Sequence, residues 1–212
     1  MAMINLYRAN VIGIKWNCLY PNHVEVTDEK TLLSAVIRDY VCAEYKGNYR
    51  SKDNFISSDC LPVDCDNDHS ENPAEWITPD DVAQAFPNVT FFVHYSQHHN
   101  RVKDNKSARP RFHILFPIER MTDHAAYANL KTVVNGIFPY FDTNALDAAR
   151  FFYGTSDPKV EFHKGFMNLT EFLQDAAPFD KDLNQGQYGS RVIQEGSRNN
   201  TISQYAGKII KK

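Results

Sequence analysis

Strands separated by helices, in an order close to β-α-β-β-α-β through the middle of the chain, predict an α+β fold. The expected architecture is a ferredoxin- or RRM-like sheet packed against an N-terminal α/β module. Two further observations agree with it. An apolar fraction of 42%, with 13% aromatic residues, is ample for a packed core. Segments 89–94 and 110–116 have strand character and flank a polar loop, which predicts an antiparallel pair. At 212 residues the chain suits one large domain over 1–178, a polar linker over 179–194, and the first helix of a further, truncated helical domain over 195–212.

Short strands are expected at 3–7 and 12–16, followed by a helix from about Asp28 to Tyr45, where Leu32, Leu33, Val36, Ile37 and Tyr40 recur at helical spacing. A strand then runs into Asp64. Glu71 to Pro79 reads as a polar connection, and Thr78-Pro-Asp-Asp81 has the form of an N-cap, a proline at N1 and an acid at N3. The short helix it opens ends before Pro87, and Val89 to His94 is a strand. Gln97 to Arg109 is polar, basic and without periodicity, as suits a loop or hairpin tip. Pro110 to Pro117 is a strand bracketed by prolines. Thr122-Asp123 starts a helix with an apolar stripe of Ala126, Leu130, Val133, Val134 and Ile137. Ala149 to Tyr153 is a further strand and Leu169 to Asp175 a short helix.

The net charge of −3 is unevenly spread. Asp59 to Asp81 holds eight acids and no Lys or Arg, whereas His98 to Arg120 holds six bases against two acids. Acidic and basic segments in succession fit a site that holds cations beside a polyanion. Cys18, Cys42, Cys60 and Cys65 form no C-x-x-C pair and read as reduced thiols. A structural zinc on Cys60 and Cys65 would match no ribbon or finger spacing. No apolar run is long enough to span a bilayer and the N-terminus lacks a signal-peptide core, so no membrane partner and a cytoplasmic location are expected.

Three segments carry candidate chemistry. The first is Leu61-Pro-Val-Asp-Cys-Asp-Asn-Asp68. In an extended strand Asp64 and Asp66 share one face, roughly 6–7 Å apart, and a shared divalent cation would relieve their repulsion. The second is Arg111-Phe-His113, two nitrogen-donor side chains on one strand face, suited to phosphate oxygens. The third runs from Phe141-Asp142 through Asp147 and Arg150, which enters an aromatic strand, to Lys159 past a turn.

In their order and spacing these segments resemble the archaeo-eukaryotic primase (primase-polymerase) superfamily, closest to the forms encoded by phages, plasmids and integrated elements. The D-x-D motif is matched by Asp64 and Asp66, the strand histidine by His113, and the third carboxylate by Asp142, ahead of Asp147. Arg111 stands where a serine is more usual. The resemblance implies a DNA primase or polymerase that transfers a nucleotide to a 3′-hydroxyl. Two Mg²⁺ or Mn²⁺ ions would sit on Asp64, Asp66 and Asp142, with NTP or dNTP held by His113, Arg111, Arg150 and Lys159. A single-stranded DNA template would run along Arg101, Lys103, Lys106 and Arg109, and a helicase domain or protein would be a partner.

Other readings share parts of the pattern. A metal-dependent glycosyltransferase uses D-x-D on a sugar nucleotide but has no need of the base cluster at 98–120. A rolling-circle initiator nuclease needs a spaced metal-binding histidine pair, whereas His98 and His99 are adjacent. A non-catalytic single-stranded DNA-binding module would bind template and incorporate nothing.

Overall fold

The structure, a computed structural model, describes residues 3–142 and 147–176. The expected linker over 179–194 and terminal helix over 195–212 lie outside the described residues. In chain order the strands are β1 (Ile4–Arg8), β2 (Asn22–Val26), β3 (Tyr40–Val41), β4 (Glu44–Tyr45), β5 (Phe55–Cys65), β6 (Phe91–Tyr95), β7 (Arg101–Lys103), β8 (Lys106–Arg109), β9 (Phe112–Met121), β10 (Phe151–Phe152) and β11 (Val160–His163). The helices are α1 (Glu29–Val36), α2 (Pro79–Ala85), α3 (His124–Ile137) and α4 (Leu169–Ala176). None of them is long and apolar enough to cross a membrane.

Mixed α/β architecture with antiparallel sheets results. The central sheet has the order β11-β6-β9-β5-β4 and a second sheet the order β10-β3-β1-β2, while β7 and β8 form a separate hairpin. The expected pairing across the basic loop is present: Phe92 faces Leu115 and Val93 faces Ile114 in the β6–β9 register. The inner order β6-β9-β5, with α2 and α3 as crossovers, follows the β-α-β-β-α pattern. The fourth strand departs from the RRM-like expectation, because 151–152 pairs with β3 in the second sheet. The place beside β5 is taken by the earlier β4.

Alternation along the central strands explains how one sheet serves two cores. Leu61, Val63 and Cys65 of β5, Phe91 and Val93 of β6, and Phe112, Ile114 and Phe116 of β9 pack with Val82 of α2, Tyr127 and Val134 of α3, and Leu169 at the start of α4. The opposite parity, Cys60, Phe92 and Leu115, packs against Ile4 and Leu6 of β1, Val26 of β2, and Leu32, Ala35 and Val36 of α1. The second sheet and α1 thus cover the face on which the even-numbered residues of β5 stand.

Three expected elements differ. The strand at 12–16 is an irregular loop: the buried Asp39 carboxylate accepts the amides of Gly13 (2.9 Å) and Ile14 (3.0 Å), and Gly13 lies at φ +72°. A backbone bent to meet one carboxylate cannot also feed a ladder. The helix from 28 ends at Val36, after an Asp28–Thr31 capping box opens it, and β3 and β4 follow within the expected span. The stripe of α3 is rotated, because Tyr127, Lys131 and Val134 are buried while Val133 and Ile137 are exposed. Tyr and Lys bury long apolar bodies beneath polar ends, so a count of apolar letters passes over them. The Tyr127 hydroxyl donates to the Cys60 carbonyl at 2.7 Å. At α2 the predicted signals hold, with Pro79 in the first turn and a Thr78–Asp81 capping box.

Candidate active site

Position 64 is the last residue but one of β5, on the face toward the second sheet. In register, Asp64 lies opposite His113, and His113 lies opposite His94 of β6. One cross-strand row therefore carries a carboxylate and two imidazoles. Oδ1 of Asp64 meets Nδ1 of His113, and Oδ2 accepts from Nη2 of Arg150 at 2.9 Å. Burial alone would push the Asp64 carboxyl up, but His113 and Arg150 outweigh it and hold the group at about 2. The chain beyond α3 also returns here, as the Asp142 amide donates to the Asp64 carbonyl at 2.8 Å.

His94 is fully buried, and its Nδ1 lies 3.0 Å from the Tyr40 hydroxyl. Burial drives its pKa well below the ordinary 6.5, assisted by His113, so the ring is neutral. Phe152 closes the row, edge-on to His113 at 4.8 Å between centroids and beneath the Arg150 guanidinium at 5.7 Å. His94, Tyr40 and Phe152 belong to no sequence motif, yet they complete the site. The available signal was parity: His94 sits two residues after Phe92 on the same strand face.

Asp66 lies one residue past the end of β5, and Asn67 then turns the chain at φ 54°. Asn67 is buried; its amide nitrogen donates to the Ile77 and Pro110 carbonyls, and its oxygen accepts from the Ile77 amide. The acids that follow turn toward the β7–β8 hairpin. Lys103 pairs with Asp66 at 3.1 Å and Lys106 with Asp68 at 2.8 Å. Arg109 is buried and bonds the Asn67 and Ser70 carbonyls and Glu71. Arg111 is also buried, donating to the His98 and Arg101 carbonyls and facing Asp66 and Asp68 at 4.0 and 3.8 Å.

The acidic and basic segments therefore neutralise each other within the fold. Of the four cations expected on a template track, Lys103, Lys106 and Arg109 are engaged by acids, while Arg101 is exposed at the hairpin base. Arg111 points into this cluster and does not join His113.

The Lys159 ammonium lies 4.2 Å from the Tyr95 ring centroid. Together with Arg101, His99, Ser96, Thr155 and Asp157 it lines a cavity of about 330 Å³. Asp64, His113 and Arg150 are not among the lining residues.

Carboxylates are the right ligand type for Mg²⁺ or Mn²⁺. As placed, however, both Asp64 oxygens are engaged, by His113 and Arg150, and Asp66 is engaged by Lys103. Among the described residues no group of three or more His, Cys, Asp or Glu side chains is arranged to hold a metal ion, so the arrangement does not fit the expected pair of cations. The same holds for a zinc on Cys60 and Cys65, which are buried free thiols.

No protein-family model matches the chain, and no curated protein matches it. Among solved structures it is similar to the AEP domain of the cyanophage S-2L primase-polymerase. Identity is 13% and the TM-score 0.45, over 81% of this chain and 88% of that one. A likeness at this level does not fix an activity.

Proposed function

We propose that the chain is a template-dependent nucleotidyltransferase of the primase-polymerase kind, serving replication of a phage, plasmid or integrated element. The observation that carries the reading is the convergence of Asp64, His113 and Arg150 from three distant segments onto one buried carboxylate. These are the positions at which the sequence resembles the superfamily motifs. Asp142 reaches the same strand end through its backbone.

In the proposed reaction the 3′-hydroxyl oxygen attacks the α-phosphorus of a nucleoside triphosphate, and the bond to the departing pyrophosphate breaks. Little covalent chemistry falls to the protein, so positioning and charge do most of the catalysis. Arg150, 35% exposed at its side chain, is able to exchange Asp64 for a triphosphate oxygen. His113 would orient the same group. Lys159 and Arg101, with the Thr155 and Ser96 hydroxyls, would offer donors in the cavity they line. A need for Mg²⁺ or Mn²⁺ belongs to the proposal.

The test is incubation with single-stranded template, labelled NTP or dNTP and either cation, with a chelator control. Extension products that vanish in Asp64→Ala support the reading, and incorporation by the variant equal to wild type overturns it. One observation favours a second reading, a non-catalytic single-stranded DNA-binding module: both oxygens of Asp64 are engaged by the protein itself. Template binding without incorporation under any cation selects that reading.

A further inference from the structure

The hairpin cations face the protein's own acids, but a second positive surface lies elsewhere. Residues 10–21 include Lys15 and no acid, and residues 46–52 include Lys46, Arg50 and Lys52 and no acid, with Asp53 next in the chain. Backbone bonds lace the two segments together. Leu19 bridges Tyr49, the Tyr20 amide donates to the Asn48 carbonyl at 3.0 Å, and the Arg50 amide donates to the Cys18 carbonyl at 2.8 Å.

On this double loop large apolar groups face solvent: Trp16 is 81% exposed, Leu19 54%, Tyr49 49% and Ile14 48%. The Lys15 ammonium lies 5.2 Å from the Trp16 ring centroid, and Lys46 and Lys52 are exposed. The surface also abuts the candidate site. Arg50 donates to the Ala149 carbonyl at 2.8 Å and lies over the Phe151 ring, so it grips both chain neighbours of Arg150.

We propose that this double loop binds single-stranded nucleic acid, with bases stacked on Trp16 and Tyr49 and phosphates held by Lys15, Lys46 and Lys52. The ligand follows from the chemistry. Exposed rings among lysines with few acids complement a polymer that alternates flat bases with phosphates. Lysine is depleted from the cores of protein–protein interfaces, which disfavours a folded partner. The inference rests on the nucleotidyl-transfer reading in taking the polyanion to be nucleic acid. It places the strand on the second sheet's side of Arg150, on residues other than the acid-paired lysines of the β7–β8 hairpin.

The chain has two tryptophans, and this makes a direct test possible. Trp76 is half-buried, its Nε1 bonded to the Ser70 carbonyl and its ring beneath Arg109, so Trp16 is the ring open to a ligand. Titration of the full chain with an oligodeoxythymidylate should quench tryptophan fluorescence, and Trp16→Phe should abolish the quenching. By anisotropy of a labelled oligonucleotide, Trp16→Ala with Tyr49→Ala should weaken binding about tenfold or more. The combined variant Lys15→Gln, Lys46→Gln and Lys52→Gln should flatten the salt dependence by about two counterions.

Unquenched fluorescence with undiminished binding by the double variant overturns the assignment. So does an absence of oligonucleotide binding in the wild type, or self-association that depends on Trp16. Nucleotide incorporation by wild type, measured in parallel, separates the two readings. Incorporation with no role for Trp16 sinks the surface alone, and Trp16-dependent binding without incorporation sinks the enzyme alone.

Discussion

Asp64 and His113 stand opposite one another in the β5–β9 register, and the imidazole Nδ1 meets the carboxylate Oδ1. Both sit on the face toward the second sheet, and Asp64 is only 4% exposed. A buried carboxylate is tolerated there because His113 and Arg150 together occupy both its oxygens.

Asp64→Asn keeps the shape of that side chain and removes its charge. Nucleotide incorporation should fall at least ~100-fold, on the scale of losing one preorganised charged contact. Circular dichroism should remain that of the wild type. Steady-state incorporation with matched spectra checks both parts.

Arg109 and Lys106 lie on one hairpin but should behave differently. The Arg109 guanidinium is buried against the Asn67 and Ser70 carbonyls, so Arg109→Ala, which leaves both without that donor, should cost about 1–3 kcal/mol. Lys106 pairs with Asp68 at the surface, and Lys106→Ala should cost less than ~1 kcal/mol. Urea denaturation of both variants decides. Equal, small losses would mean that the buried contacts of Arg109 contribute little to the fold.

Lys131 supplies a pH test. Burial holds its ammonium at about 8 instead of 10.5, although it donates to the Asp147 carbonyl at 3.0 Å and lies near the Tyr127 ring. Between pH 8 and 10.5 the unfolded chain binds the extra proton, so this group's contribution to stability rises with pH across that window. Below it, the buried charge costs the fold about 3 kcal/mol. Lys131→Met should therefore gain on wild type at neutral pH, with the difference shrinking toward pH 10.5. A stability difference that stays flat with pH would contradict this.

Two glycines make a paired test. A Cβ at Gly154 would lie 2.3 Å from the Arg38 carbonyl carbon and oxygen, whereas one at Gly136 in α3 would meet nothing within 4 Å. Gly154→Ala should lose about 1–3 kcal/mol and lower incorporation by shifting the segment that follows Arg150. Gly136→Ala should gain up to ~1 kcal/mol from helix propensity. Thermal melts of the two variants should move in opposite directions.

Local signals were the legible ones. Thr78-Pro-Asp-Asp81 wrote its capping box into four letters, and the β6–β9 pair showed in strand character around a polar loop. Motif order singles out Asp64, His113 and Arg150 in the sequence. What stayed hidden was non-local. Whether Lys103 serves a template or Asp66 depends on how the β7–β8 hairpin lies, and no periodicity encodes that. The destination of 151–152 was equally hidden, since a two-residue strand pairs according to tertiary contacts and not propensity. Trp16 escaped because the loop around it is shaped from a distance by a carboxylate at position 39.

That carboxylate reaches further than the loop. Oδ1 of Asp39 accepts the amides of Gly13 and Gly154, Oδ2 accepts that of Ile14, and the Asp39 backbone exchanges bonds with Ala9 and Val11. A single side chain thus fastens the segment leading to Trp16 and the segment leaving Arg150 to the same point. The two regions should be inherited as a unit. Grafting residues 10–19 onto another scaffold without position 39 would scramble the transplant, and drift at either anchor would be felt at the other as epistasis.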